Sequence, residues 1–207
     1  MPNGYWGKIL RVNLSTGSIT VDQNDETFYR RYMGGMAMLS HYMLKEIEPG
    51  IDPLGPENKL IFSLGPITGH PVSGNGRNSV GAKSPLTGGY GEGDVGGFWG
   101  AELKHAGFDC IIVEGKADTP VYLWVHDGGV EIRDAGKLGG LETAPAEAAI
   151  NQELGDKRIR VAQIGPSGEK MVRYAAIMND INRAVGRCGL GAVMGSKNLK
   201  AIAVRGR

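Results

Sequence analysis

The chain has 207 residues, and its 23 lysines and arginines against 22 acids leave a formal net charge of +1, which excludes a basic footprint for nucleic acid or an anionic membrane. Its 41% apolar content comes in short runs, none near the ~18 apolar residues of a membrane span, and the start MPNGYWGK lacks a signal-peptide core, so a soluble cytoplasmic chain is expected. Cys110 and Cys188 lie too far apart for a CxxC site, so neither a disulfide framework nor a complete iron–sulfur site can be built from them.

In chain order, KILRVNL at 8–14 alternates with Leu10, Val12 and Leu14 on one face, and STGS returns the chain into ITV, a hairpin signature. Residues Thr27 to Glu46 have helical spacing broken at Gly34 and Gly35, which predicts two short helices ended before Pro49. LIFSL at 60–64 predicts a buried strand, and residues 65–97, rich in glycine, proline, serine and asparagine, predict a long loop with a function. GFWGAELKHAG predicts a short helix stopped by Gly107, followed by the strand DCIIVEG. VYLWVHDGGVEIRD predicts a hairpin turning at Asp127, Gly128 and Gly129. TAPAEAAINQELGD predicts a helix capped by Thr143, with Ala146, Ile150 and Leu154 inward and Gly155 as its stop. RIRVAQIG, MVRYAAIM and LKAIAV predict three more strands. Regular βαβ alternation is missing, so the fold class is α+β with mixed sheets and short helices, in a single domain over 1–207.

Glycine is the unusual component. Its 34 residues are more than double the typical share of about 7%, and without collagen or linker periodicity they point to tight turns and to backbone approaching a ligand closely. Residues 100–116 align without a gap over 191–207 at an offset of 91, and SLGP at 63–66 sits over QIGP at 163–166 at an offset of 100. Such an internal repeat predicts two backbone-lined anion half-sites around a pseudo-twofold axis.

Candidate binding residues fall in the two glycine-rich stretches. Arg77, Arg183 and Arg187 stand where a guanidinium can reach a phosphate, and Lys83 is placed to help neutralise it. A lone loop arginine is more often a solvated charge, but three in two glycine loops favour binding. The main-chain oxygens of Asp94 and Ala184 could hold a hard cation between two phosphates. GEGDVGG also contains a GxGxxG at Gly91, Gly93 and Gly96. A dinucleotide-binding enzyme is therefore a rival reading, weakened because SPLTGGY rather than an apolar strand precedes the first glycine. His41, His70, His105 and His126 show no metal or general-base spacing, Met33, Met36, Met38 and Met43 read as core filler, and no catalytic residue is assigned.

GYWGKILRVNLSTG, LGPITG, GRNSVGAKSPLTGGY, GGFWGAELKHAGFDCIIVEGKA, IGPSGEKMVRYAAIMND and GRCGLGAVMGSKNLKAIAV together resemble the first domain of aldehyde:ferredoxin oxidoreductases, from Gly4 to about Gly206. That resemblance implies two mixed β-sheets forming a base for tungsten, or molybdenum, held by two pterin dithiolenes whose phosphates are bridged by magnesium. By motif, Arg77 would lie between a pterin and a [4Fe–4S] cluster. Gly93, Asp94, Val95, Gly96 and Gly97 would line one pterin, Arg183, Ala184, Gly186 and Arg187 the other, and the main-chain oxygens of Asp94 and Ala184 would meet the magnesium. Asp94 departs from the family's asparagine, which matters little if only its backbone binds. The resemblance also implies cluster ligands in later C-terminal helical domains, aldehyde oxidation with ferredoxin as acceptor, and a chain that alone is inactive, largely empty of cofactor and prone to self-association as a homodimer. A free-standing pterin-binding or cofactor-delivery subunit is the alternative.

Overall fold

The computed structural model describes residues 3–206; Met1, Pro2 and Arg207, which belong to the first stretch and to the end of the aligned repeat, lie outside the described residues. Alternation in KILRVN produces β1 (Lys8–Asn13), and the Asn13 side chain accepts from the Ser15 and Thr16 amides at 3.0 and 3.2 Å, turning the chain into β2 (Ser18–Gln23). Asp25 caps α1 (Glu26–Tyr32) by accepting from the Phe28 amide at 2.8 Å. Gly34, at φ 127°, separates α1 from α2 (Gly35–Glu46), and a Cβ there would run into the Leu64 carbonyl. The first half continues through β3 (Leu60–Leu64), β4 (Asn78–Lys83), β5 (Tyr90–Val95), α3 (Trp99–His105) and β6 (Cys110–Glu114).

The second half comprises β7 (Val121–His126), β8 (Gly129–Asp134), a 3₁₀ turn (Gly136–Leu138), α4 (Thr143–Leu154), β9 (Arg160–Gln163), α5 (Pro166–Glu169), β10 (Ile177–Asn179), β11 (Arg183–Val185), α6 (Leu190–Ser196) and β12 (Leu199–Arg205). One sheet runs β2-β1-β6-β3-β4-β5 and the other, read from its far edge, β8-β7-β12-β9-β10-β11. Strand for strand the orders coincide. In each sheet the first strand of the half pairs parallel with the last, β1 with β6 and β7 with β12, while the remaining neighbours are antiparallel. The sequence repeat therefore corresponds to a duplicated six-stranded unit, and α3 and α6 are its equivalent helices.

Alternating side chains sort into three layers of core. Leu10, Val12, Phe62, Ile111 and Val113 of the first sheet face Leu123, Val125, Ile202 and Val204 of the second, with Trp99 and Leu103 of α3 and Val193 and Met194 of α6 packed between them. On the outer face of the first sheet Ile9, Ile61 and Ile112 meet Met38, Leu39 and Met43 of α2. On the outer face of the second, Tyr122, Val161 and Ala203 meet Ile150 of α4. Each such aliphatic or aromatic side chain removed from water contributes roughly 1.5–3 kcal/mol against the entropy of folding.

Several elements differ from the sequence expectations. Residues 65–97 are not one loop, because β4 and β5 form a hairpin within them. Their small residues hide a strand pattern because they are buried by close approach: a Cβ on Gly81 would collide with Leu39, and one on Gly91 with Cys188 and Ser84. MVRYAAIM is strand only from Ile177, since Pro166 starts the short α5 and Met171 follows at φ 54°. β11 lies inside a predicted loop. Glu142 rather than Thr143 occupies the N-cap of α4, and the Thr143 hydroxyl instead donates to Ile181 O at 3.4 Å. The β7–β8 turn is Asp127–Gly128, both at positive φ, with Gly129 already in β8. Met38 and Met43 fill core as expected, but Met33 and Met36 are 61% and 56% exposed and do not.

Candidate functional site

Two equivalent hairpins, β4–β5 and β10–β11, bring the predicted stretches together. In the first, Asn78 opposes Val95 and Ser79 opposes Asp94; in the second, Ile177 opposes Val185 and Met178 opposes Ala184. Asp94 and Ala184 thus hold the same register position, one residue before the end of a strand that leads to α3 or α6. Both line one cleft of about 780 Å³ with Arg77, Val95, Gly96, Gly97 and Arg183. Seven of the ten residues singled out in the sequence meet there.

The other three are not in its lining. A Cβ on Gly93 would come within 2.8 Å of Val185 Cγ1, so this glycine lets β5 approach β11 closely. Arg187, 72% exposed at its side chain, donates from Nε to Glu92 O at 2.9 Å and reaches the Glu92 carboxylate at 3.4 Å, tying the β11–α6 loop to β5. Burial and the Asp94 charge push the Glu92 carboxyl above its usual range, and Arg187 works against that. Gly186 is exposed, with open space where a side chain would stand. Lys83 is not part of the site. β4 starts at the cleft with Asn78 and carries Lys83 roughly 17 Å away, where its ammonium donates to Ile51 O at 2.7 Å.

The structure adds residues that the sequence left unmarked. Phe98, Glu147, Arg160 and Asp180 also line the cleft. Arg160 lies 5.0 Å from the Phe98 ring centroid, and Phe98 is 65% exposed, so the cation backs an open aromatic face. Burial, and then the Asp180 charge, raise the Glu147 carboxyl pKa, while Arg160 lowers it. Three arginines and three acids share the cleft, and only Arg77, Arg183 and Asp94 stood out in the sequence, because Glu147 and Arg160 arrive from α4 and β9, outside the glycine-rich stretches. Buried oxygens of Glu147 and Asp180 have no hydrogen-bond partner among the described residues. The backbone N–H groups of Gly96, Gly97, Gly186 and Arg187 likewise meet no protein acceptor among those residues.

A dinucleotide fingerprint is not built. Gly91 and Gly93 sit within β5, which pairs antiparallel with β4, instead of following a parallel strand as that motif requires. No group of three His, Cys, Asp or Glu side chains suited to a metal occurs among the described residues. Burial pushes the Cys110 thiol up, consistent with an inert core thiol, and His126 Nε2 faces Glu131 at 3.2 Å across the β7–β8 hairpin at the surface.

A family model for the aldehyde ferredoxin oxidoreductase N-terminal domain matches residues 9–206. The chain belongs to this family. It is 55% identical over 203 residues to the tungsten-containing aldehyde ferredoxin oxidoreductase of Pyrococcus abyssi, covering 98% of this chain and 33% of that protein. Against the aliphatic sulfonate oxidoreductase, WOR-like subunit, of Pyrococcus furiosus it is 37% identical, covering 98% of this chain and 34% of the relative. Among solved structures, the active site complex BamBC of benzoyl coenzyme A reductase with 1,5-dienoyl-CoA superposes with a TM-score of 0.96 at 40% identity, over 100% of this chain and 31% of that one. The chain therefore spans about a third of the length of these relatives. No helix among the described residues is long and apolar enough to cross a membrane.

Proposed function

We propose that the β5–β11 cleft cradles the phosphates of a bis-pterin tungsten, or molybdenum, cofactor in an aldehyde:ferredoxin oxidoreductase-type enzyme. One observation carries this reading: Asp94 and Ala184 occupy equivalent positions of a duplicated hairpin and line the same cleft. A ligand with two like halves fits a cradle with two like halves. The residues present suit phosphate: arginines 77 and 183 supply guanidinium donors, and Gly96 and Gly186 leave open space where a side chain would stand. The main-chain oxygens of Asp94 and Ala184 would serve a phosphate-bridging magnesium, Arg77 would stand between a pterin and a [4Fe–4S] cluster, and Arg187 would brace the second half-site through Glu92.

Residues 1–207 form the single N-terminal domain in this reading, with C-terminal helical domains supplying the cluster ligands and closing the cleft. The chemistry supplied by the cofactor when bound is two-electron oxidation of an aldehyde and water to a carboxylic acid, with ferredoxin as electron acceptor. This chain's own residues bind and orient the cofactor. A cytoplasmic location and self-association of the uncovered domain complete the proposal.

The test is tungsten and pterin content per chain in the protein expressed with the coding sequence that follows Arg207. Arg183→Ala and Arg77→Ala are expected to lower both together, and undiminished loading in both variants overturns the assignment. The 207 residues alone are expected to purify largely empty, since half the enclosure is missing; tight pterin retention by them would favour a cofactor-delivery subunit.

A further inference from the structure

The turn between β10 and β11 holds two residues in the left-handed region, Asp180 at φ 47° and the β-branched Ile181 at φ 58°. Backbone strain at a cleft wall persists only where surrounding contacts hold it, and such outliers collect at working sites. Here the end of β10 and the strained turn that follows it deliver two consecutive side chains to the loop that links β5 to α3. Asn179 Nδ2 donates to the Gly96 carbonyl at 3.4 Å, and the Asp180 Oδ2 carboxylate oxygen accepts the Phe98 N–H. Between those two peptide groups lies Gly97 at φ 100°, where a Cβ would overlap the Asp180 carboxylate. Asn179 is wholly buried and also donates to Asn78 Oδ1 at 3.1 Å, which anchors the grip to the start of β4.

We infer that Asn179 and Asp180 are positioning residues: a clamp with which the second repeat holds the Gly96–Phe98 loop of the first in its ligand-ready shape. The grip takes the carbonyl of Gly96 and the amide of Phe98 and leaves the amides of Gly96 and Gly97 without a protein acceptor among the described residues. A two-glycine loop is otherwise costly to order, so fixing it before the ligand arrives raises affinity. On the other side the β11–α6 loop is held differently, by its own Arg187 on Glu92 O at 2.9 Å and by the Ser84 hydroxyl, which donates to Cys188 O at 2.8 Å. The inference rests on the reading of the cleft as a phosphate site.

Asp180→Asn and Asp180→Ala separate the clamp from the charge. Both remove a negative charge from the cleft, but only the asparagine keeps an oxygen for the Phe98 amide. The measurements are binding of inorganic pyrophosphate with magnesium to the purified chain, hydrogen exchange at the Phe98 amide, and a melting curve for each variant. The asparagine variant is expected to bind at least as well as the parent with Phe98 still protected. The alanine variant is expected to bind about tenfold more weakly than the asparagine variant, from lost preorganisation, with Phe98 exchanging faster. Asn179→Leu, which removes the other half of the grip, should move in the same direction as the alanine variant. Equal affinity in the two Asp180 variants, or unchanged Phe98 exchange in the alanine variant, overturns the clamp. If neither parent nor asparagine variant binds pyrophosphate, the phosphate reading falls, and Phe98 exchange still decides the clamp.

Discussion

Asp109 and Lys104 form an ion pair inside the first repeat, 2.6 Å from Oδ1 to Nζ, with Asp109 wholly buried. The second carboxylate oxygen accepts the amides of Trp6 and Gly7 at 2.9 and 2.7 Å, and the Trp6 indole donates to Lys104 O at 2.6 Å. One side chain thus ties the amino-terminal segment to the end of α3 and the start of β6.

Removing that carboxylate leaves an ammonium and two amides buried without their acceptor. Asp109→Ala is expected to destabilise the chain by about 3–5 kcal/mol, read as a lower urea midpoint at unchanged slope. Asp109→Asn, which keeps one acceptor, should cost less. A midpoint unmoved by the alanine would show that water replaces the pair without loss.

Lys197 is buried with its ammonium donating to the carbonyls of Asn58 and, at 3.2 and 3.4 Å, of Gly115 and Pro56, and burial pulls its pKa down to about 8. Between about 8 and the ordinary 10.5 the unfolded chain binds more protons than the folded one, so this lysine makes stability rise with pH across that window. The Cys110 thiol acts in the opposite sense above its ordinary 9.0, because burial keeps it protonated in the folded state. The two are separated by Lys197→Met. That variant should be less stable at pH 7, because three carbonyls lose their donor, and its stability should fall more steeply than the parent's from pH 8 to 10. Identical pH slopes in the two proteins would refute the lysine's part.

Gly96 and Gly97 are adjacent but tolerate change differently. Nothing stands within 4 Å of a Cβ on Gly96, whereas Gly97 sits at φ 100° against Asp180. Gly97→Ala is expected to destabilise the fold by roughly 1–3 kcal/mol, and Gly96→Ala by less than about 0.5 kcal/mol. The methyl of the latter projects into the space proposed for phosphate, so pyrophosphate affinity should drop without a change in melting temperature. Equal melting shifts for both would mean that the loop relaxes freely.

Arg187 reaches Glu92 from a largely exposed position. The pair is exposed on the Arg187 side and buried on the Glu92 side, so Arg187→Ala is expected to cost about 1 kcal/mol in chemical denaturation while loosening the second half-site. A larger loss of stability would make Arg187 a structural strut between β5 and its own loop.

The alternating runs KILRVN and VYLWVH, the glycine stop after Leu154 and the family blocks were legible as written, because strand faces, helix ends and long motifs are local properties of the chain. So were Arg77, Arg183 and the glycine stretches of the candidate site. The β4–β5 hairpin was not, since NSVGAK and YGEGDV are buried by the absence of side chains, and burial of that kind leaves no hydrophobic period to read. Nor were Asn179, Asp180, Glu147 and Arg160, whose importance comes from which loop or cation they meet across the two repeats. The sequence by itself marked the duplicated unit and the two glycine-rich stretches that meet at the cleft. The tertiary structure alone decided that Asp94 and Ala184 share one register position and one cleft, because pairing register and sheet-to-sheet approach depend on contacts between residues about ninety positions apart in the chain.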